Sequence, residues 1–285
     1  MNTDRGMKTL EDAAIRARYA ESFAPRGHAG SLITAAALGL FVYGLWHLGF
    51  SLTKLIAGAG SLGSFVVMMF PPDWGDTTSL WRYTKALAET VAIALLGTLL
   101  AATIALPLSI IAARNATVSQ VLRFFTRRGF DTLRGVETLV WALIWINVVG
   151  LGPFAGVLAI ATSDIGSFGK LFSEAIEASD KRPVEGVVAS GGSRLHAIRF
   201  GILPQVAPVL ISQALYYFES NTRSATIIGI VGAGGIGLQL SEQIRTLEWQ
   251  TVCFIIIMIL VTVSAIDMLS TRIRIALIGK SVPPV

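Results

Sequence analysis

The sequence predicts an all-α integral membrane protein with about six spanning helices. Three observations carry that prediction. Apolar residues make up 53% of the 285-residue chain and charged residues 14%, with a mean hydropathy of +0.65; ordinary soluble domains carry about 25% charged residues. Phe, Leu, Ile and Val gather in long uncharged blocks, and only helices or closed barrels satisfy backbone polar groups in lipid. Most of the 23 Lys and Arg fall in clusters between those blocks, as cytoplasmic loops do.

The elements follow in chain order. Residues 1–30 are polar, with Arg5, Lys8, Arg16, Arg18 and Arg26. Their apolar core comes too late for a cleaved signal peptide, so they read as a cytoplasmic segment. The first span is Ser31–Phe50, close to the ~20 residues a bilayer needs. Residues 51–83 read as an interfacial helix and an outer loop, stopped by Pro71-Pro72, with Trp74, Trp81 and Tyr83 at headgroup level. A second span covers Thr84–Ala113, and Pro107 is expected to kink it. Arg114, Arg123, Arg127, Arg128 and Arg134 come next. Gly135–Asp180 has room for two spans of about 20 residues turning at Gly150–Pro153. Lys181, Arg182, Arg194 and Arg199 then lie on the same side as the earlier cluster. A fifth span follows Pro204, and a sixth, Trp249–Thr271, ends at Arg272, Arg274 and Lys280. Residues 31–280 thus form one transmembrane domain with both termini inside.

One stretch imitates a nucleotide site. "TIIGIVGAGGIGLQL", 226–240, contains G-x-G-x-x-G at Gly232, Gly234 and Gly237. That fingerprint needs a βαβ unit and an acidic residue about 20 positions on. Here a long apolar block follows, and the remaining chain is too short for a doubly wound sheet. The glycines instead predict a broken segment near the outer part of a permeation path. Gly229 serves close helix packing, and Gly232, Gly234, Gly235 and Gly237 form irregular backbone buried in protein or lining a cavity.

Other chemistry is excluded. No G-x-x-x-x-G-K-[ST] occurs, so the chain has no P-loop. His28, His47 and His196 are scattered and make neither a metal site nor a catalytic pair. The single Cys253 reads as a small buried hydrophobe. The net charge of +5 reflects cytoplasmic loops and not nucleic acid. Glu89, Glu137, Asp164, Lys170 and Asp267, most of them near span ends, take structural roles.

A polar island interrupts the fifth apolar block: Glu219, Ser220, Asn221, Thr222, Arg223, Ser224 and Thr226. Glu219 and Arg223 are four apart and can pair on a helix. Intramembrane charges also mark pathways, and a guanidinium suits a tetrahedral oxyanion because it is always charged and presents a fork of donors. Both readings stand, and they make Glu219, Asn221 and Arg223 candidate path residues.

The loop "EGVVASGGSRLHAIRFGILP", Glu185–Pro204, is short and amphipathic, with two short helices turning at Gly191-Gly192. Its spacing resembles the EAA loop of ABC importer permeases, in which E-A-A is followed by a glycine three residues later, nine residues, and I-x-L-P. Glu185 takes the acidic place, Gly191 the glycine, and Leu203-Pro204 the L-P. Gly186-Val187 replace the alanines, and Gly201 stands where isoleucine is usual. "PPDW", "VVGLGPFAGVLA", "GKLFSEAIEASD", "FGILPQVAPVLIS", "YYFESNTRSATIIGIVGAGGIG" and "VTVSAIDMLSTRIR" look like the permease subunit of phosphonate-type ABC transporters, over residues 60–275 or so.

That resemblance implies a type I ABC importer permease fold in the bacterial cytoplasmic membrane. It implies a homodimer of permeases and two ATPase subunits that bind ATP and magnesium, so that this chain holds no cofactor. An extracytoplasmic binding protein delivers phosphonate, phosphite or phosphate. Residues 181–204 become the coupling loop, with Glu185, Gly191, Leu203 and Pro204 at the ATPase. Two other classes stay open on the residues alone. A secondary transporter needs inverted repeats, and a membrane enzyme needs a clustered nucleophile and base; neither is visible.

Overall fold

The computed structural model describes residues 27–117 and 119–278, and every regular element among them is helical. The expected cytoplasmic segment up to residue 26, and Lys280, lie outside the described residues. The chain divides into two compact units, residues 1–65 and 66–285.

Helix α1 (Gly27–His47) and most of α2 (Leu52–Met68) belong to the first unit. Leu40, Phe41, Trp46, Leu55 and Ile56 are all more than half exposed. An apolar helix of this length is at home in lipid. The candidate span is Gly30–His47, beginning one residue before the expected Ser31, and the stretch expected as an interfacial helix is helical as α2.

The second unit is built around one helix. After α3 (Thr77–Ala112) come α4 (Gln120–Arg134), α5 (Thr138–Val149) and α6 (Pro153–Glu177). Helix α6 packs against α3, α4, α5 and α9 (Leu203–Ile230). Small residues permit that approach: a Cβ on Gly97 of α3 would sit 2.7 Å from Ile160 Cγ2 of α6. One core joins Ala101, Ala105, Phe168, Phe172, Ile202 and Val206. A second joins Ile93, Ala159, Ile160, Ala225 and Ile228. Helices α7 (Lys181–Ala189) and α8 (Arg194–His196), with a π-helical stretch Ala197–Ile202, connect α6 to α9; α10 (Ile236–Arg245) and α11 (Trp249–Ile278) complete the chain.

Two expectations need correction. Helix α3 starts at Thr77 instead of Thr84, because the Asp76 carboxylate accepts the Ser79 N–H at 2.8 Å and caps it there. It continues through Pro107 to Ala112 as one helix. The turn at Gly150–Gly152 is present, with φ of +91° and +131° at the two glycines, but the two spans around it are unequal. Helix α5 has 12 residues, about 18 Å, against the ~30 Å of bilayer hydrocarbon. It reaches spanning length only together with α4, from which it bends by 91°.

By length and apolarity, α1, α3, the run Arg194–Ile230 and α11 can each cross a membrane, and the α4–α5 pair is a fifth candidate. Helix α6, with 25 residues, is long enough but carries Asp164 and Lys170. Its neighbours bury it, so it needs no apolar outer face.

Candidate functional site

The loop between α6 and α9 is held at both ends by one side chain. Gln205 Oε1 accepts the Asp180 N–H at 3.0 Å, while its Nε2 donates to the Asp180 carbonyl at 3.1 Å and to the Gly201 carbonyl. The Asp180 carboxylate also caps α7 by accepting the Arg182 N–H. Gly191 then turns the chain at φ +81°, with nothing within 4 Å of where a Cβ would lie. The Gly191 and Gly192 N–H groups donate to the Val188 and Val187 carbonyls, both at 3.0 Å. The chain re-enters helix through a capping box between Ser193 and His196.

Gly201 explains itself here. A Cβ at that position would sit 3.0 Å from Val184 Cα, so the π-helical stretch lies directly on α7. The π-helical stretch runs directly into Pro204, the second residue of α9, and a widened turn accommodates a proline that would disrupt a regular α-helical turn. Leu203 is half-buried against the core, whereas Glu185 and Gly191 are exposed. Val188, Leu195 and Phe200 are exposed by 55%, 78% and 57%, around a cleft of about 550 Å³ lined by Pro183, Val187, Gly191, His196 and Phe200. Large apolar side chains thus gather, exposed, on one short loop.

The polar island splits into two faces of α9. On one, Glu219 is buried, and its two oxygens meet two guanidinium groups: Arg223 Nη1 at 3.1 Å and Arg274 Nη2 at 3.4 Å. The Arg223 side chain is half exposed and that of Arg274 a quarter exposed. Arg274 also stands over the Tyr216 ring. On the other face Asn221 is buried and points into the chain's own core. Its Nδ2 donates to Thr98 Oγ1 at 2.9 Å and to Asp164 Oδ2 at 2.5 Å, tying α9 to α3 and α6. Asn221 therefore does not share the face that Arg223 presents. Asp164 lies in mid-helix, buried, with Asn221 as its donor.

The glycine-rich stretch is a tight reversal. Helix α9 ends at Ile230, Gly232, Gly234 and Gly235 adopt φ of +106°, +83° and +75°, and α10 begins at Ile236. The irregular backbone thus ends at Gly235, and Gly237 is already helical. Gly229 and Gly237 face each other: a Cβ on Gly229 would meet Gly237 Cα at 3.0 Å, and one on Gly237 would run into the Thr226 carbonyl. Helix α3 caps α10 from the side. Glu89 Oε1 accepts the Gly235 N–H at 2.8 Å, and Thr90 Oγ1 accepts the Ile236 N–H at 2.7 Å. A carboxylate suits the positive end of a helix. The Gly152 N–H donates to the Gly232 carbonyl at 3.0 Å, so the two glycine turns are joined. Gly234, Gly235 and Gly237 are buried, and Gly232 borders a cleft of about 390 Å³.

Sequence reasoning missed Gln205 and Arg274. Gln205 stands next to the recognised Leu203-Pro204, but an amide has no characteristic spacing. Arg274 was counted only as a basic residue closing the last span. Its pairing depends on α11 running back beside α9, which local pattern cannot show. Among the described residues no His, Cys, Asp and Glu cluster could hold a metal ion.

The chain is similar to known transport proteins. Residues 105–275 match the family described as binding-protein-dependent transport system inner membrane component. A phosphite transport system permease protein, PtxC of Stutzerimonas stutzeri, is 33% identical over 84% of this chain and 86% of its own. A protein described as a putative phosphite transport system permease, HtxC of the same organism, is 43% identical over 78% of this chain and 77% of its own. The phosphate-import permease protein PhnE of Mycolicibacterium smegmatis is 39% identical over 75% of this chain and 40% of its own. An inward-facing MetNI methionine ABC transporter chain aligns with a TM-score of 0.61 at 16% identity, over 71% of this chain and 99% of that one. At that identity the likeness concerns the fold.

Proposed function

We propose how this chain works from one premise: it belongs to the family of binding-protein-dependent transport system inner membrane components. It is a multi-pass inner-membrane subunit of an ABC importer and is not itself catalytic. An ATPase and a substrate-binding protein complete the machine. Two copies of this chain enclose the path, with both termini in the cytoplasm. The cargo is phosphite, phosphonate or phosphate, after the substrates in the names of its relatives.

Glu185, Gly191, Leu203 and Pro204 shape the ATPase contact. Glu185 offers a charge, Gly191 the open turn, and Leu203-Pro204 the rigid transfer of motion into α9. Gln205 makes the loop move as one piece with that helix. In the path, Arg223 touches the anion. Asn221, Gly234, Gly235 and Gly237 hold the wall behind it, and Gly232 borders the path.

The observation that carries the cargo reading is the trio Arg223, Glu219 and Arg274. Two guanidinium groups share one buried carboxylate, so the cluster keeps a net positive charge while neither cation is bare. A passing oxyanion finds a fork of donors, and Glu219 competes for the same donors and promotes release. ATP-driven uptake in proteoliposomes holding the full complex tests this. Arg223→Ala is expected to lower uptake at least tenfold while the ATPase still co-purifies, and Arg223→Lys to restore part of it. Glu219→Gln leaves two arginines without their counter-ion and is expected to tighten cargo binding and slow release. Normal transport by Arg223→Ala, or failure only through lost assembly, contradicts the reading.

A further inference from the structure

We infer that α4 lies in the membrane interface and carries a binding site for an anionic phospholipid headgroup, formed by Arg123, Arg127 and Arg128. The geometry comes first. Helix α4 meets α5 at 91°. Helix α5 carries no charge from Thr138 to Val149, so the bend separates a segment suited to the hydrocarbon from a charged one suited to its boundary. Arg123, Arg127, Arg128, Asp131 and Arg134 within 15 residues would each meet a large penalty in hydrocarbon.

The outward surface of α4 fits that placement. Val121, Leu122, Phe124 and Phe125 are exposed by 67%, 52%, 57% and 66%. Val121, Phe125 and Arg128 are spaced by four and three residues, so they share one face. Arg128 thus emerges within the apolar face, its side chain 66% exposed and its guanidinium 5.6 Å from the centre of the Phe124 ring. An arginine surrounded by exposed phenylalanines has a physical reason at one kind of surface. The rings enter the acyl region, and the guanidinium rises to the phosphate layer.

A receptacle for the phosphate lies alongside. A cleft of about 440 Å³ is lined by Gln120, Arg123, Phe124, Arg127 and Arg128, with no acidic side chain among them. Arg123 and Arg127 are pre-set: each donates its Nε–H to the Ala112 carbonyl, at 3.2 and 3.1 Å. Both also lie near one oxygen of Glu177, at 3.7 and 2.8 Å. Asp131 answers Arg128 at 3.3 Å but is shared with Lys170 at 3.8 Å. Positive charge therefore exceeds negative around the cleft. That complementarity commits the site to a lipid with a net negative headgroup, such as phosphatidylglycerol, over zwitterionic phosphatidylcholine.

The test uses the intact complex in nanodiscs of equal parts phosphatidylglycerol and phosphatidylcholine. A photo-crosslinking side chain replaces Phe125, and the adduct is identified by mass. We expect phosphatidylglycerol adducts in excess by about fivefold for each arginine that reaches the headgroup, the effect of one basic residue at an anionic surface. Arg128→Gln is expected to lower that preference about fivefold on the same scale, and Arg128→Lys to keep most of it. Co-purification of the ATPase with each variant shows that the fold survives. Equal adducts of the two lipids, a preference unmoved by Arg128→Gln, or adducts to a protein subunit in place of lipid would overturn the site.

Discussion

Glycine does opposite work at the two ends of α9. At the entrance, Gly191 turns the coupling loop in open space, and its φ of +81° is its whole reason for being glycine. At the exit, Gly229 and Gly237 are jammed against each other and against the Thr226 carbonyl, with ordinary helical backbone. The first kind of glycine leaves a surface free for a partner. The second closes the chain on itself. The same contrast divides the polar groups. Glu185 faces outward at the loop, whereas Glu89 and Thr90 are consumed in capping α10.

Substitutions sharpen that contrast. Gly237→Ala has the largest expected effect. Its methyl cannot avoid the Thr226 carbonyl without moving backbone, so we expect a loss of about 3 kcal/mol or more, read as a lower melting temperature of the detergent-solubilised protein. Gly201→Ile, which restores the residue usual in related loops, presses on the Val184 backbone. We expect it to cost about 2 kcal/mol in the same assay, and a neutral result would show that α7 shifts freely against the π-helical stretch. Gly191→Ala is the mildest. The site is open and only the left-handed conformation is penalised, by about 1 kcal/mol. A larger loss at Gly191 than at Gly237 would reverse the comparison.

Much of this was legible in the sequence, for physical reasons that differ by element. The spans announce themselves as long blocks with few charges, and the loop because its turn glycine and its proline have fixed spacing. The Gly229 contact was foreseeable, since small residues in an apolar block have few other uses. The faces of α9 were not. Asn221 and Arg223 are two residues apart, so a helix sends them in different directions, and which one meets Asp164 depends on how α6 packs. Helix α3 runs unbroken through Pro107, packed along its length by α6 and α9. The shortness of α5 was hidden for a related reason. An uncharged run from Thr138 to Ser163 has no marker of how a turn divides it except the glycines at 150 and 152.

The central claim is that residues 181–204 transmit ATP hydrolysis to the path. The most direct test measures uptake and ATP hydrolysis together, in proteoliposomes containing the full complex, for Gly191→Trp and Glu185→Arg, with Gly191→Ala as the control for backbone strain. The account predicts that Gly191→Ala transports at close to the parental rate. Gly191→Trp and Glu185→Arg should remain in the membrane but lose at least ten times more uptake than hydrolysis, or lose the ATPase altogether. Parental uptake by both of these variants would contradict it.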